Sequence, residues 1–331
     1  MTALKTAVIG GGAWGTALAC ASRRAGSDVI LWARNAQVVE DINEGRGNPL
    51  YLPDTRLDAG IRATGNMEEA LTAAEVILLV VPSQHMRKVA EEMAPFVAGK
   101  AIALCCKGVE QSTGALMHEV AQEVMPEAHM AILSGPTFAS EVAIGLPTAV
   151  TVASRHEVSR DLIMKAIAAP TFRPYPTDDL VGAEIGGAVK NVLAIACGIV
   201  TGRELGENAR AALVTRGLAE VMRLGEKLGA KPETLMSLCG LGDLALTCNS
   251  PQSRNMSFGI ELGKGRSVET ILGERRAVTE GVWSAASVTD LARKWGVDMP
   301  ICDAVNHIVT EGADIGETIR QLLNRPFRGQ D

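Results

Sequence analysis

Apolar residues in the first half of the chain fall in short, mostly unbroken runs separated by amphipathic stretches. Runs at 6–9 (TAVI), 28–33 (DVILWA), 75–81 (EVILLVV), 101–105 (AIALC), 130–133 (MAIL) and 148–153 (TAVTVA) predict strands, and the segment around 172–175 completes the set. Unbroken runs, as opposed to alternating ones, mark strands buried on both faces of a parallel sheet. Helical spacing fills the intervals at 16–25 and 83–96. After Pro176 the alternation stops. Apolar positions then recur with helical period over 183–200, 207–229, 232–238, 254–262, 268–274, 284–294, 300–311 and 315–323, broken by Gly and Pro. The pattern predicts an α/β N-terminal domain over residues 1–181 and an all-α C-terminal domain over residues 182–331.

The first strand runs directly into Gly10, Gly11, Gly12, Ala13, Trp14 and Gly15, a G-x-G-x-x-G motif with Gly10, Gly12 and Gly15 in its three glycine places. The first glycine permits the tight turn, the second a close backbone approach to a pyrophosphate, and the third close packing of helix on strand. The helix that follows aims its free amides at the phosphates. A lone glycine motif is weak evidence. Here strand, motif, helix, Gly26 and second strand follow one another in the order of a βαβ unit, so the N-terminal domain is expected to be Rossmann-like and NAD(P)-binding, with Ala13 and Trp14 beside the cofactor. At the end of the second strand an NAD-specific site usually carries an acidic residue for the ribose hydroxyls. This chain has Arg34 and Asn35. An arginine suits a 2′-phosphate, so NADP or dual use is expected; the alternative is a solvated loop arginine.

Other candidates lie at strand ends, where ligands bind in open α/β sheets. Lys107 follows the strand at 101–105, and the small residues Ser134, Gly135, Pro136, Thr137 and Ala139 surround Phe138 after the strand at 130–133. In the helical half, residues 183–200 read as a largely buried helix containing Lys190, with Asn191 beside it and Gly187, Ala194 and Cys197 on its own face. Burying an ammonium is costly unless it is paired or can lose its proton, and such a Lys can transfer protons near neutral pH. The competing reading is a Lys that snorkels to the surface. The division of domains would put this helix where the two meet, a common place for small-molecule sites. Asp243, between glycine turns, can cap a helix or pair with a cation. Ser253, Arg254 and Asn255 open a helix whose cap, free amides and guanidinium fork form a candidate anion cradle. His85, His118 and His129 are isolated, and none is read as catalytic.

Composition narrows the class. The hydrophobic share is 47% with only 3% aromatics, and the net charge is −6. There is no basic footprint for nucleic acid or an anionic membrane, so any anion site must be local. Seven cysteines are scattered without a CxxC or a His at zinc-ligand spacing, and read as small buried hydrophobes of a reducing cytoplasm. The N-terminus imitates a secretion signal, but four glycines within six residues of its apolar stretch argue against one. No apolar run is expected to span a bilayer, because Glu184 and Lys190 interrupt the best stretch.

Taken together, GGGAWGTALA, VVPSQ, CCKG, LSGPTFASEV, GAVKNVLAIACGIVTG, GLGDLALTC, SPQSRN and VTEG resemble the bacterial-type NAD(P)-dependent glycerol-3-phosphate dehydrogenase family over essentially the whole chain. Thr201, where that family usually carries an acidic residue, and Ala13, often Ser, are less typical. The resemblance implies an oxidoreductase of lipid metabolism that interconverts dihydroxyacetone phosphate and sn-glycerol 3-phosphate for phospholipid synthesis, using NADP or NAD with a leaning to NADPH, and working as a cytoplasmic homodimer without metal. It implies Lys190 as general acid/base, with Lys107, Gly135, Thr137, Asp243, Ser253, Arg254 and Asn255 around the substrate. The cofactor would touch the glycine loop, Arg34, Lys107, Ala139, Arg254, Val278 and Glu280. Two other readings remain: a related dehydrogenase acting on a β-hydroxy acid or sugar-acid phosphate, and a nucleotide sensor without catalysis.

Overall fold

The computed structural model describes residues 3–275 and 279–326. Val278 therefore lies outside the described residues. The chain forms two compact units, residues 1–107 with 116–183, and residues 108–115 with 184–331.

The first unit is built on an eight-stranded sheet: β1 (Lys5–Ile9), β2 (Asp28–Trp32), β3 (Ile61–Thr64), β4 (Val76–Leu79), β5 (Ala101–Leu104), β6 (His129–Ser134), β7 (Thr148–Ala153) and β8 (Phe172–Thr177), in the order β3-β2-β1-β4-β5-β6-β7-β8. β1 to β6 are mutually parallel. β7 turns antiparallel to β6, and β8 runs parallel to β7. The order reverses at β1, between β2 and β4, which creates the crevice where doubly wound sheets bind nucleotides.

The strands at 75–81 and 101–105 are buried along their paired lengths, β4 and β5 entirely so, as unbroken apolar runs require. Helices α1 (Ala13–Arg24), α2 (Ala36–Asn43), α3 (Met67–Thr72), α4 (Ser83–Met93), α5 (Met117–Val124), α6 (Ala139–Ile144) and α7 (Glu157–Ile167) fill the connections. Two details depart from the pattern reading. α1 starts at Ala13, inside the glycine motif, three residues before the expected start. β3 is a short edge strand whose Arg62 breaks its apolar run, so no periodicity announces it. At the opposite edge, β8 carries Pro174 and Pro176, which a central strand could not accommodate because proline donates no ladder hydrogen bond.

The second unit is helical: α8 (Leu180–Gly202, its first turn belonging to the first unit), α9 (Glu207–Lys227), α10 (Pro232–Leu235), α11 (Asp243–Asn249), α12 (Arg254–Gly263), α13 (Val268–Glu274), α14 (Glu280–Lys294), α15 (Pro300–Glu311) and α16 (Ile315–Leu323). Contrary to expectation, α8 is long and apolar enough to cross a membrane by length and composition. However, 89% of its most apolar window is buried inside the protein, as in a core helix. It packs on α12 through two G-x-x-x-G faces. A Cβ on Gly198 would lie 2.2 Å from the Met256 carbonyl oxygen, and one on Gly259 would lie 2.1 Å from that of Ile195. Backbone meets backbone there, so neither glycine has room for a side chain. All seven cysteines are buried thiols outside any disulfide.

One buried acid lies in this unit. Glu220 of α9, 1% exposed, accepts the backbone N–H groups of Ile301 (2.7 Å) and Cys302 (3.2 Å) at the start of α15. Burial pushes its pKa up to about 7, against the pull of those two donors. A carboxyl whose folded pKa is raised stabilises most below its unfolded pKa of 4.5 and loses that contribution as pH rises towards 7. The loss amounts to about 3 kcal/mol. Glu220→Gln should therefore flatten the fall in melting temperature between pH 4.5 and 7; an unchanged pH profile would assign that fall to other groups.

Candidate active site

The glycine motif sits at the C-terminal end of β1, beside the reversal of strand order. Gly10 has φ of 131°, which L side chains rarely adopt, and a Cβ there would lie 2.3 Å from the Val80 carbonyl oxygen. A Cβ on Gly15 would lie 1.8 Å from the Gly10 carbonyl oxygen. The fold itself demands both glycines. Gly12 is different, because nothing lies within 4 Å of the point its Cβ would occupy.

α1 starts immediately after Gly12 with no side-chain cap and no acidic residue in its first turn. An uncapped, positive helix end beside open space at a glycine fits a pyrophosphate. Asn48, from the loop before β3, fixes this arrangement. Its Nδ2 donates to the Gly11 carbonyl (2.9 Å) and to Thr16 Oγ1 (2.8 Å). Arg34 is exposed just past β2 and forms no hydrogen bond or ion pair among the described residues, while Asn35 caps α2 by accepting from the Gln37 N–H.

Three more of the sequence candidates meet in the first unit. Lys107 Nζ donates to the Gly135 carbonyl (3.3 Å), which also accepts from Thr137 Oγ1 (3.4 Å). Gly135 has φ of 151°, and a Cβ on it would crowd Val150 Cα at 3.1 Å. Ala139 is the first residue of α6, half-buried and two residues beyond Thr137.

In the second unit, α8 meets the single π-helical turn at Leu238–Gly242. A Cβ on Gly186 would lie 2.5 Å from the Cys239 carbonyl oxygen. One turn further along α8, Lys190 thus comes within reach of the start of α11. Lys190 is 6% exposed and Asp243 is 0% exposed. Lys190 Nζ donates to Asp243 Oδ1 (2.5 Å) and to Thr247 Oγ1 (3.0 Å), and Thr247 Oγ1 donates to the Asp243 carbonyl (2.6 Å). This is a buried, charge-assisted pair with a hydroxyl beside it, the arrangement in which burying an ammonium is tolerable. Snorkelling to the surface is excluded.

The next link is a chain of amides. The Gly281 N–H can only donate, and it does so to Asn255 Oδ1 (2.9 Å). Asn255 must then present Nδ2 to Asn191 Oδ1 (2.9 Å), and Asn191 is left with a buried Nδ2 that has no hydrogen-bond partner among the described residues. The relay joins α8, α12 and the start of α14, where Glu280 is the first residue and half-buried. Ser253 caps α12 by accepting from the Met256 N–H (3.2 Å). Arg254 is exposed beside it and makes no side-chain hydrogen bond or ion pair among the described residues. Within the second unit, Lys190 and Asp243 thus form one cluster, Asn255 bonds Asn191 next to Lys190, and Ser253, Arg254 and Glu280 are chain neighbours of the relay residues.

Sequence reasoning overlooked Thr247 and Asn48 as site residues and named Asn191 only as the neighbour of Lys190. Thr247 was visible in principle, since it lies one helical turn after Asp243. The reach of Asn48 back to Gly11 has no local signature.

Comparison with known proteins finds a match for each half of the chain. The model for the N-terminus of NAD-dependent glycerol-3-phosphate dehydrogenase matches residues 5–159, and that for the C-terminus of the same enzyme matches residues 179–320. The chain is 55% identical over 327 residues to the glycerol-3-phosphate dehydrogenase [NAD(P)+] of Parvibaculum lavamentivorans, covering 98% of each chain. It is also 55% identical to that of Rhodospirillum rubrum, covering 97% of this chain and 93% of the relative. The crystal structure of glycerol-3-phosphate dehydrogenase from Coxiella burnetii superposes with a TM-score of 0.93 at 38% identity, covering 98% of this chain and 99% of the other. With both of its halves matched and relatives aligned from end to end, the chain belongs to the NAD-dependent glycerol-3-phosphate dehydrogenase family.

Proposed function

We propose that this protein catalyses the NAD(P)-dependent interconversion of dihydroxyacetone phosphate and sn-glycerol 3-phosphate, working in the cytoplasm as a homodimer, with reduction supplying glycerophospholipid synthesis and Lys190 as the acid/base. The observation that carries this reading is the buried Lys190–Asp243–Thr247 cluster, beside which Asn191 bonds Asn255 at the start of α12, where Arg254 makes no side-chain hydrogen bond or ion pair among the described residues. When bound, the nicotinamide cofactor supplies or accepts the hydride. What the chain must add is a stabiliser for charge on the ketone oxygen and a proton for it. Lys190 does both: its ammonium polarises the oxygen and then releases a proton to it. Asp243 and Thr247 hold the Nζ in place, and the Asp243 carboxylate favours the return of the proton. Lys107 adds positive potential near Gly135 and Thr137. Ser253, Arg254 and the first amides of α12 bind the phosphate, and that remote binding energy positions the carbonyl.

The cofactor is held by the loop of Gly10, Gly12, Ala13, Trp14 and Gly15, with Lys107, Ala139, Arg254, Val278 and Glu280 as further contacts. Arg34, exposed and without a protein partner among the described residues, pairs with a 2′-phosphate and favours NADPH. Gly12→Ala should fold normally, since the protein leaves room for the methyl group. The same change should weaken NADPH binding at least about tenfold by blocking the pyrophosphate's approach. Fluorescence titration of NADPH against the melting temperature checks this; unchanged affinity would remove the pyrophosphate from this loop.

The rival dehydrogenase reading is separated by substrate. Initial rates with sn-glycerol 3-phosphate, glycerol and a β-hydroxy acid, each with NADP and NAD, should show oxidation of the phosphorylated alcohol alone. Faster oxidation of the hydroxy acid would reverse the assignment.

A further inference from the structure

Arg275 is a cation in an unusual place. It follows α13, and its guanidinium reaches the first turn of α12, donating through Nη1 to the Arg254 carbonyl (2.8 Å) and through Nη2 to Ser257 Oγ (3.1 Å). Ser257 Oγ in turn donates to the same Arg254 carbonyl (3.2 Å), and the guanidinium lies 5.7 Å from the centre of the Phe258 ring. The neighbouring carboxylates are engaged elsewhere. Glu261 takes Lys264 (3.0 Å) and Arg266 (3.1 Å), and Glu274 takes Arg266 (2.5 Å).

Arg275 therefore has no ion pair among the described residues, is half-buried, and stands beside a second arginine at the positive end of a helix. Burial holds its pKa below the usual arginine range; Glu261 pulls the other way, and Arg254 and Arg266 push it lower still. Like charges at a helix N-terminus are costly in the protein alone. The arrangement becomes favourable when a dianion is present to neutralise them.

Resting on the phosphate reading above, we propose that Arg275 is a positioning residue for phosphate recognition: its guanidinium fork fixes the Arg254 main chain and its charge raises the positive potential of the α12 cradle. A fork bonded to two points of one turn sets the direction from which the Arg254 side chain departs. A lysine would keep the charge and lose the two-point grip.

The test compares Arg275→Ala and Arg275→Lys with the wild type in four readings: KM and kcat for dihydroxyacetone phosphate, competitive inhibition by inorganic phosphate, NADPH affinity, and melting temperature. Arg275→Ala should raise KM and the phosphate inhibition constant together by about tenfold, consistent with one lost charge-assisted contact. Its kcat should stay within about threefold, and its NADPH affinity should fall by less than its affinity for phosphate. Arg275→Lys should fall between the two, about threefold above wild type, and serves alone if the alanine variant does not fold. An unchanged phosphate inhibition constant in either variant, whatever the melting temperature, would reduce Arg275 to a structural strut and overturn the proposal. Arg254→Ala distinguishes the two levels. If it too leaves phosphate inhibition unchanged, the cradle reading itself has failed; if it alone weakens inhibition, the cradle stands and the role of Arg275 falls.

Discussion

Lys190→Ala should lower kcat for dihydroxyacetone phosphate by about ten-thousand-fold while NADPH binds nearly as in the wild type. The variant loses both the cation that meets the developing oxyanion and the proton that quenches it. Those two contributions are each worth about two to three powers of ten. It also leaves Asp243, which is wholly buried, without its partner. Removing one member of a buried ion pair costs about 3–5 kcal/mol, so the single variant should also be destabilised. The double variant Lys190→Ala, Asp243→Asn separates the two effects, because it discards the orphaned charge: stability should largely return and turnover should not. Single-turnover kinetics and NADPH titration on both variants check this. Normal turnover in either would end the proton-transfer role of Lys190.

Arg254→Ala should raise KM for dihydroxyacetone phosphate by about a hundredfold or more, with a smaller fall in kcat. A guanidinium without a hydrogen-bond or ion-pair partner among the described residues loses little internally when removed, so stability should hold. A bidentate contact to a phosphate is worth about two charge-assisted hydrogen bonds of 1.5–3 kcal/mol each. Part of that energy positions the carbonyl, which is why kcat should also drop. The deficit should vanish when wild type and variant are compared on unphosphorylated dihydroxyacetone. A KM unchanged for the phosphorylated ketone would move the anion site away from the start of α12.

Both variants concern residues that the sequence already singled out, and the reason is physical. A lysine within an apolar helix and an arginine just after a capping serine each violate or exploit a local rule, and such departures are visible in one dimension. The Gly10, Gly12 and Gly15 fingerprint was legible for a related reason, since its spacing and its place between a strand and a helix are local in the chain. The unbroken strands β4 and β5 declared themselves by their apolar runs.

What stayed hidden depends on distant partners. β3 is short, lies on an edge and carries Arg62, so it forms only because β2 offers a ladder. Asn48 reaches the glycine loop across 37 residues of chain. The G-x-x-x-G faces of α8 and α12 read as ordinary flexible glycines until the two helices are seen to cross, and the amide relay from Asn191 through Asn255 to Gly281 spans three helices. Residues 108–115 join the second unit, which no composition shift marks.

The central claim is that a phosphorylated ketone is reduced at Lys190, and loss of NADPH absorbance on adding dihydroxyacetone phosphate tests it most directly, with NADH in parallel and dihydroxyacetone as the control. Rapid oxidation that requires the phosphate, faster with NADPH than with NADH, is the expected result. Oxidation of neither cofactor, or equal rates with and without the phosphate, would contradict it.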